Sequence, residues 1–170
     1  MRFEVRVVGA APAVVEELAA QLMVPPPRDS LQVAAFRPGW DLEPAVQNFQ
    51  ARRQLELLSS SSLVTGNHRP VGMQTGAAPC GIRVQLAPSI SADGQIRLRV
   101  EVGPRPLETE VDVRDGQSLL ITGLAAGGES ACYAGRETPA QRREVVVLVT
   151  PHLSRALLPP RPTAVSLARP

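Results

Sequence analysis

Apolar and polar residues alternate along residues 82–124. Ile82, Val84 and Leu86 fall on one side, with Arg83 and Gln85 on the other. Ile96, Leu98, Val100 and Val102 oppose Arg97, Arg99 and Glu101, and Leu107, Val111 and Val113 oppose Glu108, Glu110 and Asp112. Successive side chains of a strand point to opposite faces, so this period predicts strands with one dry side and one wet side. Asp93-Gly94 and Asp115-Gly116 interrupt the runs. Glycine accepts positive φ at no steric cost, so both pairs predict hairpin turns. The pattern is that of an antiparallel sheet built from hairpins.

The same reading extends to the rest of the chain. Phe3, Val5 and Val7 alternate with Glu4 and Arg6, which predicts a strand over 3–8. Over 13–23 the spacing changes, and Val14, Leu18 and Leu22 with Val15, Ala19 and Met23 form a helical stripe. Glu16 and Glu17 lie in the early turns, where the helix dipole favours negative charge, and Pro25-Pro26-Pro27 stops the helix. Residues 30–36 read as a short strand and Gly39-Trp40 as a turn. Asp41 reads as the N-cap of a helix over 41–54 whose buried stripe is Leu42, Val46 and Phe49. Pro44 is tolerated in its first turn, and Arg52 and Arg53 suit its C-terminal end.

Residues 55–65 place four serines between apolar residues with no Gly or Pro, which predicts a strand bent or loosely paired at the serines. Gly66-Asn67 follows as a turn, 69–75 as the return strand and 76–81 as a loop containing Cys80. Residues 125–143 are polar and Gly-rich, a loop of about twenty residues and long for a compact domain. Residues 144–151, E-V-V-V-L-V-T-P, are a continuous β-branched run suited to a central strand. Residues 154–170 are rich in Pro and Arg and predict a disordered tail. Together these elements predict an α+β chain, mostly antiparallel sheet, with two helices in the N-terminal third.

Composition narrows the chemistry. The 170 residues suffice for one domain with its own core. Aromatics make up only 3%, so the core must be built from Val, Leu, Ile and Ala, and base stacking on single-stranded nucleic acid lacks its π-faces. Net charge is +2 and the arginines are dispersed, so no nucleic-acid footprint stands out. Cys80 and Cys132 match no zinc or CxxC spacing, and whether they pair is open. No run reaches the roughly 18 apolar residues of a membrane helix. The first residues read as a strand and not as the apolar run of a signal peptide, so the chain does not announce export.

Candidate reactive groups are few. His68 sits at a turn and His152 at a strand end. A catalytic reading pairs His152 with Ser118 or Asp115, but nothing in the spacing supports it. Glu108, Glu110 and Asp112 read either as a cation site or as the wet face of a strand. Arg97 and Arg99 are placed to pair with those acids across strands. There is no G-x-G-x-x-G or P-loop. No cofactor, metal or catalytic residue is therefore expected.

The motifs, in order, resemble the C-terminal secretin domain of type II and type III secretion and pilus-assembly proteins. Q-L-E-L-L-S-S-S-S-L-V-T-G-N at 54–67 resembles the family's strand, Leu-Ser-x-Pro and Asn-containing turn, without the Pro. G-I-R-V-Q-L-A-P-S-I at 81–90 resembles G-x-x-L-x-V-x-P-x-I, and D-G-Q-I-R-L-R-V at 93–100 resembles D-G-x-I-x-L-x-V. E-T-E-V-D-V-R-D-G-Q-S-L-L-I-T-G-L at 108–124 resembles T-x-V-x-V-x-D-G-Q-x-x-x-I-G-G-L. R-E-V-V-V-L-V-T-P at 143–151 resembles E-L-x-I-x-V-T-P.

The resemblance covers about residues 1–153 and is strongest over 81–152. Its motif positions are Gly81, Pro88, Asp93, Gly94, Thr109, Val111, Asp115, Gly116, Gln117, Gly123, Leu124, Glu144, Thr150 and Pro151.

The resemblance implies a subunit that lends strands to a shared barrel with a wet lumen. It also implies a homo-oligomeric ring that works with secretion or pilus machinery, placed in the outer membrane or periplasm if exported. Where the family carries an apolar lip, residues 125–143 are polar. The alternative is accordingly a non-inserting β-rich envelope scaffold or interaction module of secretin descent. A small enzyme ranks last, because no catalytic constellation is seen.

Overall fold

A computed structural model describes residues 1–23, 32–76, 81–103, 107–124 and 144–154. Nine strands and two helices lie among them: β1 (Arg2–Ala10), α1 (Pro12–Ala19), β2 (Gln32–Ala35), α2 (Leu42–Ala51), β3 (Leu55–Val64), β4 (Val71–Thr75), β5 (Ile82–Ile90), β6 (Ile96–Gly103), β7 (Leu107–Val113), β8 (Leu119–Thr122) and β9 (Glu144–His152). Every paired strand is antiparallel. The chain is therefore α+β and mostly antiparallel sheet, as the patterning predicts. The proline run 25–27, both cysteines, residues 125–143 and the tail from 155 lie outside the described residues.

The strands form two sheets, β2-β8-β9-β1-β3 and β4-β5-β6-β7. Their dry faces meet in one core. Phe3, Val5, Val7, Val145, Val147 and Val149 come from the first sheet, and Val84, Leu86, Ile96, Leu98, Val100 and Val102 from the second. The polar alternates of β5–β7 therefore look outward. The sheets also draw together at both margins, where β3 runs beside β4 and β2 beside β7.

Both helices cover the outer face of the first sheet. Val14 and Leu18 of α1 and Leu42, Val46 and Phe49 of α2 pack on Val8, Ala10, Leu120, Val146 and Leu148. This explains the unbroken apolar run of β9. It lies between β8 and β1, with Val145, Val147 and Val149 facing the inter-sheet core and Val146 and Leu148 facing the helices. Each such Val or Leu buried from water stabilises the fold by about 1.5–3 kcal/mol.

α2 begins as predicted, with Asp41 Oδ1 accepting from the Glu43 amide at 3.0 Å. It ends at Ala51, and Arg53 leaves it at a positive φ of 58°. α1 is shorter than its stripe, starting with Pro12 and stopping at Ala19, so Glu16 and Glu17 fall in its second turn. Leu22 has left the helix to bridge Phe36, and the Met23 amide donates to Ala35 O at 2.9 Å. The pull of β2 thus outweighs the helical spacing of the last turn.

Of the two Asp-Gly pairs, only the first closes a hairpin. Gly94 adopts φ 82° between β5 and β6, and Ser91 Oγ bonds both the Asp93 carboxylate and Gln95 O. The Ser91 hydroxyl, followed by the backbone at Gln95, holds the Asp93 carboxyl below its usual range. Asp115-Gly116 does not return the chain beside β7. It carries it from the second sheet to β8 in the first.

The turn after β3 likewise crosses between sheets. β4 is no return strand for β3, because it pairs with β5. The turn is fixed to β5, with the His68 amide donating to Pro88 O at 2.8 Å and Asn67 Oδ1 accepting from the Ile90 amide at 2.8 Å. Nor are the serines loosely paired. Ser59 to Ser62 stay in register with Val7 to Glu4, and the irregularity is a bulge at Leu58, just before them.

A mixed-charge cleft where the last strand meets the Asp-Gly-Gln corner

The helices leave one end of the first sheet's outer face uncovered. Glu4 and Arg6 of β1 point out there, opposite Thr150 and Leu148 of β9. A cleft of ≈ 470 Å³ forms over this end, and its walls include Trp40, Glu43, Arg114, Ser118 and His152. Trp40 stacks on Phe36 at 4.5 Å between ring centroids. Gly39 takes φ 79° in the turn that delivers Trp40.

The corner is the best-bonded part of this region. Gly116, at φ 74°, donates its amide to Pro151 O at 2.8 Å, and Asp115 Oδ1 accepts from the Leu153 amide at 2.7 Å. Gln117 is buried. Its Oε1 accepts from the Arg114 amide at 2.9 Å and its Nε2 donates to Phe36 O at 2.7 Å. The Ser118 and Thr150 hydroxyls lie 2.7 Å apart. Asp115, Gly116, Gln117, Thr150 and Pro151 are thus one structural unit, although they come from separate blocks of sequence.

Several charges at this end of the sheet are mutually engaged. Arg6 reaches Glu43 at 2.6 Å and Glu4 at 3.7 Å, and Arg2 reaches Glu4 at 3.1 Å. The hydrogen bond from Arg6 lowers the Glu43 carboxyl from its ordinary value of 4.5. His152 Nε2 lies 3.7 Å from Glu4 Oε1 and is buried without a hydrogen bond among the described residues. His152, Ser118 and Asp115 do line the same cleft. Their bonds, however, run elsewhere: Ser118 to Thr150, Asp115 to Leu153 and His152 toward Glu4. Such a cleft can hold a polar or mixed-charge group against an aromatic wall. Among the described residues it contains no nucleophile hydrogen-bonded to a base.

The other motif positions serve the fold at separate places. Gly81 enters β5 so closely packed that a Cβ there meets Gly76 O at 3.1 Å. Pro88 is buried in β5 and Asp93-Gly94 forms the hairpin. Thr109 and Val111 lie on β7 opposite Val100 and Leu98. Gly123, at φ 77°, and Leu124 follow β8, while Glu144 opens β9 opposite Ala10, at the far end of that strand from Thr150. Glu108, Glu110 and Asp112 form the wet face of β7. Arg97 bonds Asp112 at 3.0 Å, and Arg99 bonds Glu108 at 3.1 Å and Glu110 at 3.3 Å. Asp112 draws Arg97 further toward its charged form.

Sequence reasoning did not assemble Glu4, Arg6, Trp40 and Glu43 into a site. The available signal is the run Arg2, Glu4, Arg6 on a strand whose other residues are all buried. A fully covered central strand does not carry charge at every second position.

Comparison with protein-family models, with curated proteins and with solved structures finds no match.

Proposed function

We propose that this chain is a secretin-like subunit of a homo-oligomeric ring that serves protein secretion or pilus assembly across an outer membrane. The observation that carries the proposal is the closure of the Asp115-Gly116-Gln117 block onto Thr150-Pro151. The two most specific motifs of the resemblance support one another physically, which a chance pair of strand patterns need not do. The margins fit assembly as well. β2, β3, β4 and β7 each pair on one side only among the described residues. An unpaired edge is satisfied when another strand joins it. The charged outer face of β5–β7 suits a water-filled lumen.

A second reading is a ring or scaffold of the same descent that does not insert in lipid. It is favoured because both sheets spend their dry faces on a common core. The outer side of β5–β7 carries Arg97, Arg99, Glu108, Glu110 and Asp112. No helix among the described residues is long and apolar enough to cross a membrane, which leaves barrel strands open.

Cell fractionation, detergent extraction and electron microscopy of the full chain test both readings. SDS-resistant rings from the membrane fraction support the pore, and soluble rings support the scaffold. A monomer in every fraction sinks both.

A further inference from the structure

We infer that the outer edge of β3 is a self-pairing edge, and that its occupant is β3 of a second copy in an antiparallel, two-fold arrangement. Four large apolar side chains are exposed among the described residues. Three of them lie on this strand: Leu57 at 45%, Leu58 at 44% and Val64 at 73%. β3 is ten residues long, hydrogen-bonds to β1 on one side only, approaches β4 of the second sheet without pairing to it, and carries a single charge, Glu56. Natural edges are usually blunted by Lys, Pro, inward charges or bulges. Here the bulge at Leu58 is the one such device, and Ser59 to Val64 has none.

The hydrogen-bond phase restricts the register. Met1 and Thr65 exchange both backbone bonds, Met1 N to Thr65 O at 2.9 Å and Thr65 N to Met1 O at 3.0 Å. Bonded and non-bonded positions alternate along an antiparallel pair, so Leu63, Ser61 and Ser59 also bond to β1. Ser60, Ser62 and Val64 then turn their amides and carbonyls away from β1, to the open side. A two-fold axis must place outward residues opposite outward residues.

Axes on Ser60, Ser61, Ser62 and Leu63 all do so, and of these only the Ser61 axis brings the exposed apolar ends of the strand together. It sets Ser60 against Ser62 of the second copy and Leu58 against Val64, with Leu57 beside that pair. The exposed apolar groups at the two ends of the strand cover each other, Ser60, Ser61 and Ser62 meet serines while Ser59 meets Leu63, and Glu56 falls opposite Gly66, just past the end of β3, and no second acid. This contact closes on itself and occupies only the β3 margin, so it leaves β2, β4 and β7 as the edges that a ring would use. Strand pairing alone gives an interface at the small end of the specific range, so the dimer is reversible and concentration-dependent.

Disulfide trapping tests the register. With both native cysteines replaced by serine, Ser61→Cys places two thiols at a non-hydrogen-bonded pair. The Cα separation there is about 4.5 Å, within disulfide reach. Ser59→Cys is the control on the same face, with its two copies four residues out of register, about 13 Å apart at about 3.3 Å per residue.

Mild oxidation is expected to give a crosslinked species of twice the 18.1 kDa chain from Ser61→Cys and not from Ser59→Cys. Val64→Lys in the Ser61→Cys chain is expected to reduce that crosslink at least tenfold, and in the native chain to shift sedimentation toward monomer. Equal crosslinking at 59 and 61, or none at 61, overturns the proposal. A chain monomeric at all concentrations also overturns it and leaves the edge to a strand of another protein. Rings that persist in Val64→Lys while the crosslink is lost leave the ring proposal standing and confirm this contact as a separate one.

Discussion

Replacing Gln117 with Ala removes a side chain that ties the corner to the end of β2. The amide makes two backbone bonds, accepting from Arg114 N at 2.9 Å and donating to Phe36 O at 2.7 Å. Phe36 is 1% exposed, so its carbonyl cannot turn to water when the donor is lost. A buried group left unsatisfied in this way costs about 1–3 kcal/mol. The Arg114 amide is nearer solvent, and losing its partner costs about 0.5–1.5 kcal/mol. The expected total is about 2–4 kcal/mol, and a 3 kcal/mol loss lowers Tm by about 6–12 °C in a chain of this size. Urea unfolding followed by circular dichroism, with a thermal melt beside it, reads the change. Gln117→Glu keeps the shape but sets a carboxylate against the Phe36 carbonyl. Its deficit should shrink as pH falls and the carboxyl gains a proton to donate. A Gln117→Ala protein within about 0.5 kcal/mol of the native chain, the range of an ordinary surface change, would show that these bonds do not hold the corner.

Gly72→Ala should destabilise by about 1–3 kcal/mol, the usual cost of overpacking, because a Cβ at Gly72 meets Val84 O at 2.8 Å and that atom belongs to the backbone of β5. Denaturant midpoints read it, and an unchanged midpoint would mean that β4 shifts freely on its edge. A double-mutant cycle on Arg97 and Asp112 should return little or no coupling, since the pair is solvent-exposed, and added salt should weaken it further. The bond from Arg6 lowers the Glu43 carboxyl in the folded chain, so its stabilisation is present above the ordinary 4.5 and is lost as pH falls through the lowered folded value. The stability–pH curves of the native chain and Glu43→Gln should therefore separate at neutral pH and converge in acid, and parallel curves would refute the link.

The elements were legible in the sequence because periodicity is local. The alternation of β5, β6 and β7, the Asp41 cap and the doubly buried run of β9 are each written within a few residues of themselves. Partner choice is not. Asp115-Gly116 has the same composition whether the chain folds back beside β7 or crosses to β8. Here, bonds to Pro151 and Leu153, distant in sequence, decide for the crossing. Gly66-Asn67 is the same case, settled by Pro88 and Ile90. The serine run was legible as a strand, but the bulge at Leu58 depends on β1, where Val8 turns from the inter-sheet core toward the helices. The cleft was the least legible part. Its residues come from four separate stretches, around 4–6, 38–43, 114–118 and 150–152, and meet only after β1 and β9 have paired.

That pairing fixes the order in which the chain can fold. β4 to β7 join neighbours along the sequence, so the second sheet closes through short loops that form in microseconds. β1 instead waits for β9, with Ala10 meeting Glu144 across most of the chain. Closing so long a loop is entropically costly before any contact rewards it. During synthesis β1 emerges first and keeps one side unpaired until residue 152 has left the ribosome. Over that interval Phe3, Val5 and Val7 are exposed and prone to aggregate. A nascent chain arrested before β9 should hold the second sheet's hairpins and no more of the first sheet than its β1–β3 and β2–β8 pairs, and a holdase chaperone should bind it at the N-terminal strand.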